Sequence, residues 1–323
     1  MSNQPRKFVF VVHALSRIHR QIIGLRGAKL GLMLGRRDGL DFRDVSPLAR
    51  FHLTASSQEL VGEVVAIPMT PEEMLEHQDI ALDRMVRAIK MAELDGSRVV
   101  AVGLGSLCSI VAKRGKALQE KIAVPVTTGN AATAWTLIRN CMTANPKKER
   151  MGILGAGSPV GQIVAEYLTE QGIYLTVDNT KISKKLGIQL EKDAERLVKQ
   201  HQLLVGCGPT GPMLDGSVLQ PNSIVLDVAL PHSFSGKRKD VTVYLAERMS
   251  MPSNWHRGRW GAIYHVISGY GFNTVLACFV EPLVLTHAGR DKPFAQGRRL
   301  KMSDVIEFGE YAERLGFIPV LSK

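Results

Sequence analysis

The sequence predicts an α/β protein with a parallel, doubly wound sheet and a second α/β domain, and three observations carry that prediction. Short β-branched segments alternate with helical stretches. A glycine turn joins one of those strands directly to a helix. The length, 323 residues, suits two domains at about 150 residues each.

Taken in order, Lys7 to Val12 reads as a β-branched and aromatic strand, and Val61 to Ile67 and Arg98 to Val102 as two more. Between the last two lies a helix opened by Thr70, Pro71, Glu72 and Glu73, which supply a cap, a first-turn proline and acidic charge. Thr127, Thr128, Gly129 and Asn130 open a second helix, which runs to about Thr143 and is closed by Asn145 and Pro146. Met151 to Leu154 is a short buried strand, followed by an apolar helix from Val160 to Leu168. Tyr174 to Val177, Leu203 to Val205 and Ile224 to Val228 continue the alternation that a parallel sheet requires. After residue 260 come an apolar helix around Val275 to Leu285, a basic glycine-containing loop from Gly289 to Arg299, and an amphipathic helix from Ser303 to Leu315. The expected domains are 1–127, a linking helix 128–146, a Rossmann-like dinucleotide domain 147–255, and C-terminal helices 256–323 returning to the first domain.

Forty-one Lys and Arg against 30 Asp and Glu leave a charge of +11, which favours an acidic or phosphorylated partner. Cys108, Cys141, Cys207 and Cys278 show no metal-ligand spacing and no disulfide framework, so no metal is expected and a cytoplasmic, reducing compartment is the simpler reading. The Phe8 to Val12 run is too short for a signal-peptide core of about 7 to 15 residues. Val99 to Ala112 falls short of the roughly 18 residues that cross a bilayer.

The turn Gly155, Ala156, Gly157, Ser158, Pro159, Val160, Gly161 has the strand and helix context of a dinucleotide fingerprint. Gly155 permits the tight turn and Gly157 lets backbone approach a pyrophosphate, while the third glycine is displaced by one, with Val160 in its usual place. At the end of the next strand the signals conflict. Asp178 argues for the ribose hydroxyls of NAD, whereas Asn179, Lys181, Lys184 and Lys185 suit a phosphate cradle for NADP or form an ordinary surface lysine cluster.

Cys278 lies on an apolar helix with Glu281 three residues on and so on the same face, near a helix-interior Pro282. As a thiolate it would attack an acyl thioester, giving an acyl-enzyme that a reduced nicotinamide converts to an aldehyde. It needs a base, for which His13, His265 and His287 are candidates. As a small buried hydrophobe it needs none.

The segments HALS at His13 to Ser16, TPEEML at Thr70 to Leu75, TTGNAATA at Thr127 to Ala134, ACFVEPLVL at Ala277 to Leu285 and the closing EYAERLGFIPVL resemble the aldehyde-forming long-chain acyl-(acyl-carrier-protein) reductases of the cyanobacterial alkane pathway. The resemblance implies an acyl-binding α/β domain built from both chain ends, a nucleophile at Cys278, and NADPH as cofactor, with NADH the alternative that Asp178 raises. It places Thr128 and Asn130 near the nicotinamide or the acyl carbonyl. Acyl carrier protein or acyl-CoA is the implied donor, and a downstream aldehyde-consuming enzyme the implied recipient.

The basic segment Arg17 to Arg37 would suit anionic lipid at the membrane periphery or an acidic carrier, as would a second cluster of Arg290, Lys292, Arg298, Arg299 and Lys301. Nucleic acid is not expected, because no groove-reading or stacking motif is present. Two other functions compete: a dehydrogenase of shikimate or glutamyl-tRNA reductase type, and a non-catalytic dinucleotide sensor.

Overall fold

The computed structural model describes residues 6–14, 17–18, 20–23, 45–55, 58–105, 107–208, 214–229, 232–236, 238–257 and 273–322. Two compact units emerge. The first comprises Met1–Gly129, Met251–Arg298 and Arg314–Gly316; the second comprises Asn130–Ser250, Arg299–Glu313 and Phe317–Lys323. The helix expected to link domains therefore clusters with the second unit. The C-terminal region, expected to return whole to the first domain, is divided between both.

The first unit is built on a six-stranded sheet of β1 (Arg6–His13), β2 (Ser46–Ala55), β3 (Gln58–Ile67), β4 (Arg98–Leu104), β5 (Val126–Thr127) and the short strand Trp255–Arg257. Its order is Trp255–Arg257, β2, β3, β1, β4, β5. β3, β1, β4 and β5 are parallel, while β2 is antiparallel both to β3 and to the outermost strand. β1 is covered on both faces. Val9 and Val11 join the core formed with Met85, Ala88 and Ile89 of helix Gln78–Ala92. The alternating Phe8 and Phe10 meet the edge of Phe279 at 5.5 and 5.3 Å on the other side. Burial on both faces is why this strand reads as an unbroken apolar run.

The helix expected after Thr70 is two helices, Pro71–Glu76 and Gln78–Ala92, broken at His77, whose φ of −124° and ψ of 62° leave the helical region. The capping box expected from Thr70 and Glu73 is formed. Beside the start of β1 the fully buried Lys7 ammonium donates to Glu63 at 3.1 Å, Asp95 at 2.8 Å and the Ala92 carbonyl at 2.6 Å. Burial alone would raise the Asp95 carboxyl, but hydrogen bonds from Lys7 and Ser97 hold it well below the usual carboxylate range.

The second unit has six parallel strands: β6 (Met151–Leu154), β7 (Leu175–Val177), β8 (Gln189–Leu190), β9 (Leu203–Gly206), Ile224–Asp227 and Thr242–Leu245. Across the sheet they lie, counted in chain order, as third, second, first, fourth, fifth, sixth. This is the doubly wound dinucleotide order, with its switch point between β6 and β9. Helix Asn130–Ala144 packs here, with Trp135 against Gly309 of helix Met302–Arg314, where any Cβ would overlap the indole. The chain end is tied in by hydrogen bonds from Val320 N–H to the Arg248 carbonyl and from Ser250 N–H to the Ile318 carbonyl. Among the described residues no helix is long and apolar enough to cross a membrane. The basic segment Arg17 to Arg37 lies largely outside the described residues, and His265 lies wholly outside them.

Candidate functional site

In the second unit, β6 ends where the glycine turn begins. Gly155 has φ +78°, and a Cβ there would stand 2.6 Å from the backbone of Cys207 and Gly208 at the end of β9. Only glycine fits, so the turn can pass this close to the neighbouring strand. A Cβ at Gly161 would overlap the Gly155 carbonyl oxygen, so Gly161 supplies the close helix-to-strand packing despite its displaced position. Ser158 caps helix Pro159–Glu170, its hydroxyl accepting from Gly161 N–H at 3.0 Å, with Pro159 in the first turn.

The Asp178 carboxylate at the end of β7 accepts from Gly155 N–H at 2.6 Å and Ala156 N–H at 3.0 Å. Both of its oxygens therefore hold the turn. Asn179 caps helix Thr180–Leu186, and its amide nitrogen would lie 2.5 Å from a Cβ on Gly157. Gly157 N–H has no protein acceptor among the described residues. Lys181 and Lys184 are exposed on that helix, while Lys185 pairs with Glu166. A pyrophosphate suits this turn because glycine strips the approach of side chains and the helix N-terminus adds positive potential.

Further along the same carboxyl edge, Asp227 ends its strand buried. Its carboxylate accepts from Ala229 N–H at 3.0 Å and from Ser233 N–H and hydroxyl at 2.7 and 2.9 Å. Burial raises its pKa, and those three donors oppose the rise. Glu247, also buried, has an oxygen without a partner among the described residues. Burial, together with the charge of Asp227, pushes its carboxyl up to about 7, against the pull of the Arg248 charge. Neither acid was singled out from the sequence. The available signal was Asp227 at the end of the apolar run Ile224 to Leu226.

In the first unit the candidate groups gather at the carboxyl edge of the parallel strands. Helix Ala277–Ala288 runs through Pro282, and Gly103 of β4 has no side chain to oppose it: a Cβ there would stand 2.6 Å from Pro282 Cγ. Cys278, in its first turn, sits against Gly129, where φ is +77° and a Cβ would overlap Cys278 Cβ. Glu281 is fully buried and bonded to the Thr127 hydroxyl, which also lies 3.1 Å from the Ala295 carbonyl. The hydroxyl has one proton and donates to one acceptor at a time. Thr128 donates its N–H to Ala295 O at 3.0 Å, which fixes the segment. Thus Cys278 and Glu281 do share a face, turned toward residues 127–129. Asn130 begins the helix Asn130–Ala144.

His13 closes β1, 8% exposed. Its Nδ1 lies 2.9 Å from the Ala14 carbonyl, which can only accept, so Nδ1 carries the proton and Nε2 holds the lone pair. Nε2 has no partner among the described residues. Burial lowers its pKa, against the raising effects of the Ala14 hydrogen bond and Glu72. Burial disfavours the thiolate at the remaining cysteines: it pushes Cys108 up to about 12 and raises Cys141 and Cys207 as well. Among the described residues no group of His, Cys, Asp or Glu is arranged to hold a metal.

No family model matches the chain. It is 28% identical over 342 residues to Aminotransferase PigE of Serratia sp., covering 97% of this chain and 39% of that protein. It is 30% identical over 130 residues to Bifunctional protein FolD of Bordetella bronchiseptica, covering 40% of this chain and 39% of that one. The chain thus spans about two fifths of the length of these curated relatives. Among solved structures, an NADPH-dependent glyoxylate/hydroxypyruvate reductase from Sinorhizobium meliloti gives a TM-score of 0.33 at 12% identity over 92% of this chain and 100% of that one. A glyoxylate reductase from Paecilomyes thermophila gives 0.29 at 10% over 70% and 74%. Superpositions this loose carry no argument about activity.

These matches correct the expected family. A relative matched over 97% of this chain, Aminotransferase PigE, is named for amino transfer and not for thioester reduction. Reduction of an acyl thioester through a Cys278 acyl-enzyme is therefore withdrawn. The shikimate or glutamyl-tRNA reductase and dinucleotide-sensor alternatives do not match these relatives either.

Proposed function

We propose that the chain is a nicotinamide-dependent oxidoreductase whose second unit binds the dinucleotide through Gly155 to Gly161. The observation that carries this reading is the six-stranded parallel order together with a turn at its switch point in which Gly155 and Gly161 admit no side chain. When bound, the cofactor supplies hydride transfer. Gly157 N–H and the start of helix Pro159–Glu170 would hold the pyrophosphate, with Asp178 keeping the turn in shape. NADPH is the proposed cofactor, because Lys181 and Lys184 present ammonium groups just beyond Asp178, whose oxygens the turn amides already engage.

In the first unit the unprotonated Nε2 of His13, buried at the end of β1, would take a proton from a hydroxyl substrate that reaches it, or return it to a carbonyl one in the reverse direction. Thr127 and Glu281 hold the segment that Cys278 packs against. Fluorescence titration of the full chain with NADPH and NADH tests the reading. Saturable binding of one dinucleotide per chain, weakened at least tenfold in Gly157→Val, is expected. A panel of oxo and hydroxy compounds with the preferred dinucleotide should then yield turnover that His13→Asn reduces. The match to Aminotransferase PigE favours a second reading, amino transfer. Transfer of an amino group to an oxo acid, with no dinucleotide binding, would overturn the first reading in favour of the second.

A further inference from the structure

We propose that the first unit carries a separate binding site for a phosphate-bearing small molecule, formed by Lys113, Arg114, Lys116 and Arg298 around one cavity. The cavity measures about 440 Å³ and is completed by Ile110 and Gly297. That is the size of a small-molecule pocket. Four of its six lining residues are cationic and none is acidic. Lys113, Lys116 and Arg298 are exposed and Arg114 is half-buried. Among the described residues no carboxylate pairs with any of the four.

The backbone holds these charges together. Lys113 and Arg114 take φ values of 51° and 56°, and Gly115 follows at 84°, so two bulky basic residues occupy the left-handed region where glycine would be the easy choice. Arg114 N–H donates to Ser109 O at 2.7 Å, and Arg114 O accepts from Gly297 N–H at 2.9 Å, joining the two basic segments. Behind them the Gln296 amide donates to Gln119 at 3.3 Å and to Val126 O at 3.2 Å. Gln119 accepts from Val126 N–H at 2.9 Å. Like charges so arranged repel, and the scaffold opposes their separation; an anion of two or more charges relieves that repulsion.

The geometry favours a compact polyanion over a macromolecule. The cations ring a concavity, and no aromatic side chain lines it to stack a base. Phosphate is favoured over carboxylate because Arg114 and Arg298 offer paired donors to tetrahedral oxygens, with the lysines as point charges. The cavity lies in the first unit, apart from the glycine turn of the second.

Calorimetric titration of the full chain with pyrophosphate, inorganic phosphate and citrate, in a low-salt buffer free of phosphate, is the test. Pyrophosphate should bind more tightly than the other two and should lose at least tenfold in affinity in Lys113→Gln/Arg298→Gln. NADPH affinity and the melting temperature should stay unchanged in that variant. The proposal fails if pyrophosphate binds the variant as well as the parent, if only a polyanion such as heparin binds, or if NADPH affinity falls in parallel. Arg114→Gly serves as a second variant. It relieves the left-handed backbone while deleting one charge, so weaker pyrophosphate binding without loss of melting temperature supports the site, and unchanged binding overturns it.

Discussion

Both sheets run parallel strands to a carboxyl edge, in different orders, and they dress those edges differently. In the second unit the edge at the switch point is bare backbone: Gly155 and Gly161 admit no side chain and Gly157 brings Asn179 into contact. In the first unit the corresponding edge bears His13, Thr127, Thr128 and Cys278. A bare edge suits a ligand held by peptide groups, and an edge with buried polar side chains suits proton handling. Strand direction alone does not separate these roles; the strand order and the residues that follow each strand do.

The largest effect expected to test this contrast comes from paired glycine substitutions. Gly155→Ala puts a Cβ against the backbone of Cys207 and Gly208 from a positive φ, so neither neighbour can give. It should abolish dinucleotide binding and cost about 2–3 kcal/mol of stability, read by urea titration. Gly103→Ala meets Pro282 and Phe10 side chains from an ordinary φ. It should destabilise to a similar extent, about 1–3 kcal/mol, by overpacking. If dinucleotide binding survives in the Gly103 variant and fails in the Gly155 variant, the division of roles stands. Loss in both would break it.

Next in size is a pH effect in the second unit. Glu247 is held at about 7 against an ordinary 4.5. Between those values the folded chain binds more protons than the unfolded one, so stability falls as pH rises from about 4.5 to 7. The difference amounts to roughly 3 kcal/mol. Glu247→Gln should remove that decline and make the protein more stable than the parent at pH 8, while matching it near pH 4. Urea midpoints across the range would show it, and parallel curves for both proteins would refute the buried, proton-holding role.

Much of the fold was readable because periodicity and punctuation report local structure. The β1 run, the strand and glycine turn at Met151 to Gly161, and the capping box at Thr70 all lie within a dozen residues of the signals that specify them. What was missed depends on distant partners. β2 pairs antiparallel with β3, yet its sequence, with Arg50 and His52 alternating among apolar residues, resembles a surface segment. The bonds from Asp178 to the turn amides span more than twenty positions, and only the strand order brings them together. The break at His77 carries no proline or glycine to announce it. The family resemblance failed for another reason: short apolar motifs such as ACFVEPLVL are set by packing against the sheet, as Phe279 and Pro282 are here, and they do not report chemistry.

A smaller effect should follow from Thr127→Val in the first unit. The substitution keeps the shape of the side chain but deletes the hydroxyl between Glu281 and Ala295, costing about 1–3 kcal/mol for a buried polar partner removed. Because this edge is assigned to proton handling, turnover should fall while dinucleotide affinity is unchanged. A parallel loss of dinucleotide affinity would show that the two edges do not divide the work.

The smallest effect concerns cofactor choice, and it turns on solvent. Lys184 is exposed, so its attraction for a ribose phosphate is screened by water and salt and is worth roughly 0.2–1 kcal/mol, less than about fivefold in affinity. Lys184→Ala should therefore weaken NADPH by a few-fold, leave NADH unchanged, and lose its effect as salt is raised. Asp178→Asn acts differently, because an amide oxygen cannot replace both carboxylate oxygens that accept from Gly155 and Ala156. Both dinucleotides should weaken together there, since the turn that serves both is loosened. If Asp178→Asn instead weakened NADH alone, the carboxylate would be acting on the ribose, and the bare backbone edge would owe its selectivity to a side chain after all.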